Sequence, residues 1–296
     1  MRLYTKILPL LFLVFSLAAC GDIQHISELR ESQTEFNRLS TQDNLQVLQV
    51  IYPTNAHVLS SITAAQPYPT SVDIDASQQA YANLSARLDA LIKDCESQLQ
   101  SDKLLNQALT LQLLAKSKAS LYCDLAAAVK PPAAPAARDL PQELAQIAEQ
   151  AEQLAAKLSA NADASVGTRD IFVLASMKSM IRNNIAYVEA VRLRVSDLNS
   201  GSDDQATAKA LVEQFATASG ELSKVNVPNA AHIEEYRLLS RFVMLQNGHT
   251  LDVIYRTSEP TLKNEIDKFK TDYSSGTGKL VFDNLKPQLD LSLLGL

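Results

Sequence analysis

Few residues in this chain have the type and spacing to do chemistry. Cys20 closes the run Leu17-Ala18-Ala19-Cys20, so a thiol stands directly after small residues and an apolar stretch. His232 and Glu235, within His232-Ile233-Glu234-Glu235-Tyr236, stand three apart. On a helix they share a face, and both could reach a metal ion. Two ligands do not complete a site. The competing reading is a first-turn histidine with Glu234 and Glu235 placed favourably near a helix N-terminus. Cys95 and Cys123 are the other two thiols, and in an oxidising compartment a disulfide between them is the first expectation. Helix geometry sets a condition on that bond. With a turn at Ser101-Asp102 the two lie about 15 residues out of register, roughly 22 Å of helix rise, whereas a disulfide needs Cα atoms within about 7 Å. Pairing therefore requires a turn near Gln107 to Leu111 or a third arrangement, and the alternative is two small buried thiols. Gly276-Thr277-Gly278-Lys279 lacks the spacing and following hydroxyl of a phosphate-binding loop and reads as a hinge. No G-x-S-x-G elbow and no C-x-x-C occurs, so the expectation is a protein that is not an enzyme.

The segment that positions Cys20 is informative. Arg2 and Lys6 precede the apolar run Ile7 to Phe15, a charged region followed by a stretch too short to span a bilayer comfortably as a mature helix. Ending as it does in Leu17-Ala18-Ala19-Cys20, this segment resembles the signal peptide and lipobox of bacterial lipoproteins. The resemblance implies cleavage before Cys20, a covalent diacylglycerol on its sulfur and an acyl chain on its amine. Several chains on one residue give stable anchoring where a single chain does not. Residue Gly21, where lipoproteins retained at the inner membrane usually carry Asp, implies the periplasmic face of the outer membrane. A second resemblance covers only a few positions. His232-x-x-Glu235 resembles the H-x-x-E motif of imelysin-like periplasmic lipoproteins, all-helical proteins linked to iron or other metals, although Ala230 stands where that family has glycine. It implies a metal- or small-ligand-binding role as the alternative to a scaffold.

Loss of residues 1–19 removes Arg2 and Lys6 and no acid, leaving 25 basic residues against 33 acidic ones, a net charge of −8. That balance argues against nucleic acid and against an electrostatic grip on anionic lipid. The expected organisation is a lipoprotein signal peptide over 1–19, then lipid anchor, tether and short N-terminal helices over 20–75. A helical bundle follows over 76–296, with a candidate subdivision at 130–138, where Lys130-Pro131-Pro132-Ala133-Ala134-Pro135 cannot continue a helix.

Hydrophobic spacing predicts an all-α bundle of about eight helices with coiled-coil-like packing. Ile26, Leu29, Phe36 and Leu39 mark a short first helix, and Leu45 to Tyr52 reads as a helix despite its β-branched residues. Long helices follow from Asp75 and from Asp102 to Val129. Asp139 with Gln142 makes a capping box for the seam Leu144, Ile147, Ala151, Leu154 and Leu158. Thr168 caps a longer helix that ends at Asn199-Ser200-Gly201-Ser202. Ser202 with Gln205 opens the seam Ala208, Leu211, Phe215, Ala218 and Leu222. Asn229 caps a central helix from Ala230 to about Thr257, and Leu262 to Tyr273 mark a last short one. Asn183, Asn184 and Tyr187 on one central helix, and Asn247 and His249 on another, interrupt apolar stretches. They read as satisfied interior or solvent-facing groups, or as a small polar pocket if the two helices meet. His25 and His57 have no companions. The apolar tail Leu280 to Leu294 is expected to dock on its own bundle, with membrane or partner contact as the alternatives. The function expected is a membrane-anchored, non-enzymatic helical scaffold or adaptor for another cell-envelope protein.

Overall fold

A computed structural model describes residues 23–39, 74–97, 102–129, 140–160, 166–227, 233–275 and 294–295. The chain is all-α: nine helices and no strand occur among the described residues. We number them α1 (residues 23–39), α2 (Ile74–Ser97), α3 (Asp102–Val129), α4 (Leu140–Ala160), α5 (Thr168–Ala175), α6 (Met177–Ser200), α7 (Gln205–Leu222), α8 (Glu234–Tyr255) and α9 (Pro260–Ser275). Cys20, the expected helix at 45–52, the proline segment and most of the C-terminal tail lie outside the described residues.

The helices run up and down. In the hairpin of α2 and α3, Gln112 and Lys116 reach Asp89, and the rings of Tyr81 and Tyr122 stack with centroids 5.7 Å apart. In that antiparallel register the Ser97 end of α2 lies beside the Asp102 end of α3. The register settles the two thiols. Cys95 lies at that end of the hairpin and Cys123 near the far end, so they are not bonded to each other, and the disulfide considered above is not made. The two positions are separated by roughly 22 Å of helix rise.

α3 is buried on several faces, as its crowd of leucines predicts. α4 returns antiparallel along it, with Ser120 bonding Glu143 near one end and Lys157 bonding Asn106 near the other. The helices on either side of 130–138 thus share one core. The seam Leu144, Ile147, Ala151, Leu154 and Leu158 is buried throughout, which is what a three-four apolar stripe requires of its neighbours.

The single helix expected from Thr168 is two. It is interrupted at Ser176, whose amide bonds both Phe172 O and Val173 O, and it restarts at Met177. Gly167, not Thr168, is the N-cap. α6 ends at Gly201 with φ 67°, a left-handed C-cap that glycine adopts without a Cβ clash. The next helix is capped by Asp204 rather than Ser202: Thr207 N donates to Asp204 Oδ1 at 3.0 Å. Ser202 is diverted, because its hydroxyl donates to Asp197 Oδ1 at 2.9 Å while Asp204 N donates to Asp197 Oδ2 at 3.0 Å.

α7, α8 and α9 form an antiparallel trio. Gly248 lets them close up: a Cβ there would stand 3.0 Å from Leu262 Cδ1 and 3.1 Å from Phe215 Cβ. At the other end of the trio Arg241, 2% exposed, donates from Nη1 to Asp272 Oδ2 at 2.5 Å and from Nε to Ser219 Oγ at 3.3 Å. Its second amine lies 3.8 Å from Glu265 Oε2, and its guanidinium stacks 5.6 Å from the Phe269 centroid. This cluster straps α9 to the other two helices.

α1 packs into the same core through Leu29, Phe36 and Leu39, with Phe36 edge-on to Tyr81. Ile26 departs from the expected apolar face. It is 41% exposed and Ile23 is 69% exposed. At the opposite terminus Leu294 is buried, and a Cβ at Gly295 would meet Lys270 Nζ at 3.2 Å, so the chain end lies against α9.

Candidate functional site

Of the residues singled out by type, Cys95 and Cys123 are described, and they do not meet. Cys20 and His232 lie outside the described residues, as does the Glu235 side chain, although Glu235 itself is in the first turn of α8. Among the described residues no three of His, Cys, Asp and Glu are grouped to hold a metal ion. No helix among them is long and apolar enough to cross a membrane. The polar interruptions of α6 and α8 do meet. Asn247 Nδ2 donates to Asn183 Oδ1 at 3.3 Å, and Asn183 Nδ2 donates to Asn184 Oδ1 at 3.4 Å, all three residues buried. These groups bond one another, with Asn247 Oδ1 left without a hydrogen-bond partner, rather than line a pocket of useful size. The void beside Asn184, between α3, α4 and α6, is only about 10 Å³.

Two concavities of useful size stand out among the described residues. The first is a groove of about 490 Å³ between α4, α6 and α7. Ala145 and Ala148 of α4, Ile181, Ile185 and Ala186 of α6 and Leu211 of α7 make it apolar. The alanines leave the room: a seam that alternates large residues with alanine buries the large ones toward α3 and presents a shallow face beside them. Its borders are charged. Glu149 and Glu152 stand on the α4 side, Lys178 and Arg182 on the α6 side. Arg182 is held in place, donating from Nε to Glu221 Oε2 at 3.0 Å and from Nη1 to Gln214 Oε1 at 2.8 Å. An apolar trough with acid on one bank and base on the other has the shape and polarity to take an amphipathic helix.

The second is a cavity of about 700 Å³ under α1, closed by α3 and the start of α5. Its apolar lining is Ile26, Leu29, Leu104, Leu111, Leu114 and Val166. Arg30, Gln33, Arg169 and Asp170 stand with them. The Arg169 guanidinium lies 5.1 Å from the Tyr236 ring centroid, which fixes it without neutralising it. Burial pushes the Asp170 carboxyl above its ordinary pKa, an effect that the neighbouring Arg169 charge only partly offsets.

Sequence reasoning passed over both concavities and the Arg241 cluster. Arg241 carried a visible signal, a lone cation within Leu238-Leu239-Ser240-Arg241-Phe242-Val243-Met244-Leu245. The concavities did not, since each is built from three helices distant in sequence. Comparisons with protein-family models, with curated proteins and with solved structures give no match to this chain.

Proposed function

We propose that this chain is a lipid-anchored protein of the bacterial cell envelope, held at Cys20 on the periplasmic face of the outer membrane. It acts as a non-enzymatic helical adaptor, binding an amphipathic helix of another envelope protein. The groove between α4, α6 and α7 carries this reading. Its apolar floor offers Ile181, Ile185 and Leu211 to the i, i+3, i+4 stripe of an incoming helix. Glu149 and Glu152 facing Lys178 and Arg182 set the orientation, favouring a helix basic on the α4 flank and acidic on the α6 flank. The lipobox-like segment before Cys20 supports the location, and several acyl chains on one residue suffice for anchoring without a membrane-spanning helix.

Full-length protein recovered from membranes with Ile185→Glu or with the double charge reversal Glu149→Lys and Glu152→Lys tests this. Partner protein co-purifying with the unaltered chain is expected to fall at least tenfold in both variants, with helical content unchanged. Co-purification insensitive to both changes contradicts groove binding.

A further inference from the structure

The cavity under α1 lies close to where the proposed anchor enters the chain. Only Gly21 and Asp22 separate Cys20 from the start of α1, and Ile26, six residues from Cys20, is part of the cavity lining. Three extended residues and one helical turn bring Ile26 within roughly 15 Å of the anchored sulfur. A diacylglycerol on Cys20 therefore puts the cavity at the level of the lipid headgroups. The exposure of Ile23 and Ile26 agrees with that placement, because two large apolar side chains on the first turns of a helix are better matched to a membrane interface than to water.

We propose that this cavity takes up an acyl chain of an anionic phospholipid, with Arg30 and Arg169 receiving the phosphate. The inference rests on the lipid-anchored reading. Its volume falls in the range of about 300–1,000 Å³ usual for small-ligand sites, and its apolar lining suits a hydrocarbon. Two guanidiniums against the single carboxylate of Asp170 make its charged part net positive, on a chain that is net acidic. Among the described residues neither Arg30 nor Arg169 is in an ion pair, so both have donors to offer a phosphate, with which guanidinium forms paired, charge-assisted hydrogen bonds. The anchor's own chains are a poorer occupant. A diacylglycerol thioether carries no phosphate and would leave both cations unneutralised, whereas a phospholipid brings chain and phosphate together.

The test is photolabelling of the lipidated full-length chain in phosphatidylcholine vesicles, with the photoactivatable acyl chain carried either on phosphatidylglycerol or on phosphatidylcholine. The expected result is label on α3 between Leu104 and Leu114, several-fold stronger from phosphatidylglycerol. Arg30→Glu should reduce it to the phosphatidylcholine level. Leu111→Trp, which fills the cavity, should abolish it. Gln33→Trp narrows the mouth from the exposed face of α1 and serves where the core variant does not fold. A lipidated, vesicle-bound chain labelled only over residues 20–26, or labelled equally by the two lipids, overturns this proposal and leaves the anchor standing. An intact mass showing Cys20 without lipid overturns the anchor and this proposal with it.

Discussion

Arg241 is the residue whose surroundings matter most to the body of the protein. A guanidinium 2% exposed is tolerable only because Asp272, Glu265, Ser219 and the Phe269 ring meet it. Glu265 Oε1 is in turn bonded by Lys268 at 2.5 Å. Breaking one side of a buried pair costs about 3–5 kcal/mol, while replacing both members with apolar residues is often near neutral. Glu265→Met is therefore expected to lower stability by less than that, since Asp272 still meets Arg241, and Arg241→Met combined with Glu265→Met to recover most of that loss, as read from urea midpoints. Two carboxyls give opposite pH signatures. Asp170, raised by burial, contributes stability that is complete below the ordinary carboxylate pKa and is lost as pH rises through its elevated value. Asp204 is lowered by its bonds from Thr207, so its contribution is present above the ordinary value and is lost as pH falls through the lowered one. Asp170→Asn should then stabilise the protein at neutral pH and change nothing in strong acid, whereas Asp204→Asn should weaken it at neutral pH. Thermal melts across the acid range check both signs.

At the scale of elements, Gly248 is where Leu262 of α9 and Phe215 of α7 crowd the backbone of α8. A methyl group there must displace Leu262 or the Phe215 backbone-proximal carbon, and overpacking of this kind costs about 1–3 kcal/mol. Gly248→Ala is expected to lower the urea midpoint accordingly, while Gly167→Ala, whose Cβ would meet nothing nearer than 3.7 Å, should leave it within experimental error. The bounds of α3 were legible because Asp102 opens it and the prolines after Val129 close it. The interruption at Ser176 was not, since Ala175-Ser176-Met177 is compatible with an unbroken helix. Asp204 was missed as the cap for a different reason. Ser202 and Asp204 both have cap-forming side chains, and the choice is made by Asp197, five and seven residues back, which takes the Ser202 hydroxyl.

For the whole molecule, periodicity sufficed to name an all-α bundle and most of its buried seams, because burial of a three-four stripe is a local property of each helix. The groove and the cavity are relations among helices, and no spacing along one segment encodes them. Ala145 and Ala148 read simply as helix formers until α6 and α7 stand opposite. The adaptor reading depends on that groove, so the most direct measurement is photo-crosslinking in living cells from a single reactive residue at Leu211, on the groove floor, compared with Val253, an exposed position elsewhere. One discrete adduct is expected from Leu211 and none of that mass from Val253. The crosslinked peptide should be a helix with an apolar stripe, basic on one flank and acidic on the other. It should disappear when Glu149 and Glu152 are both reversed to lysine. No discrete adduct from Leu211, or the same adduct from Val253, would contradict the adaptor reading.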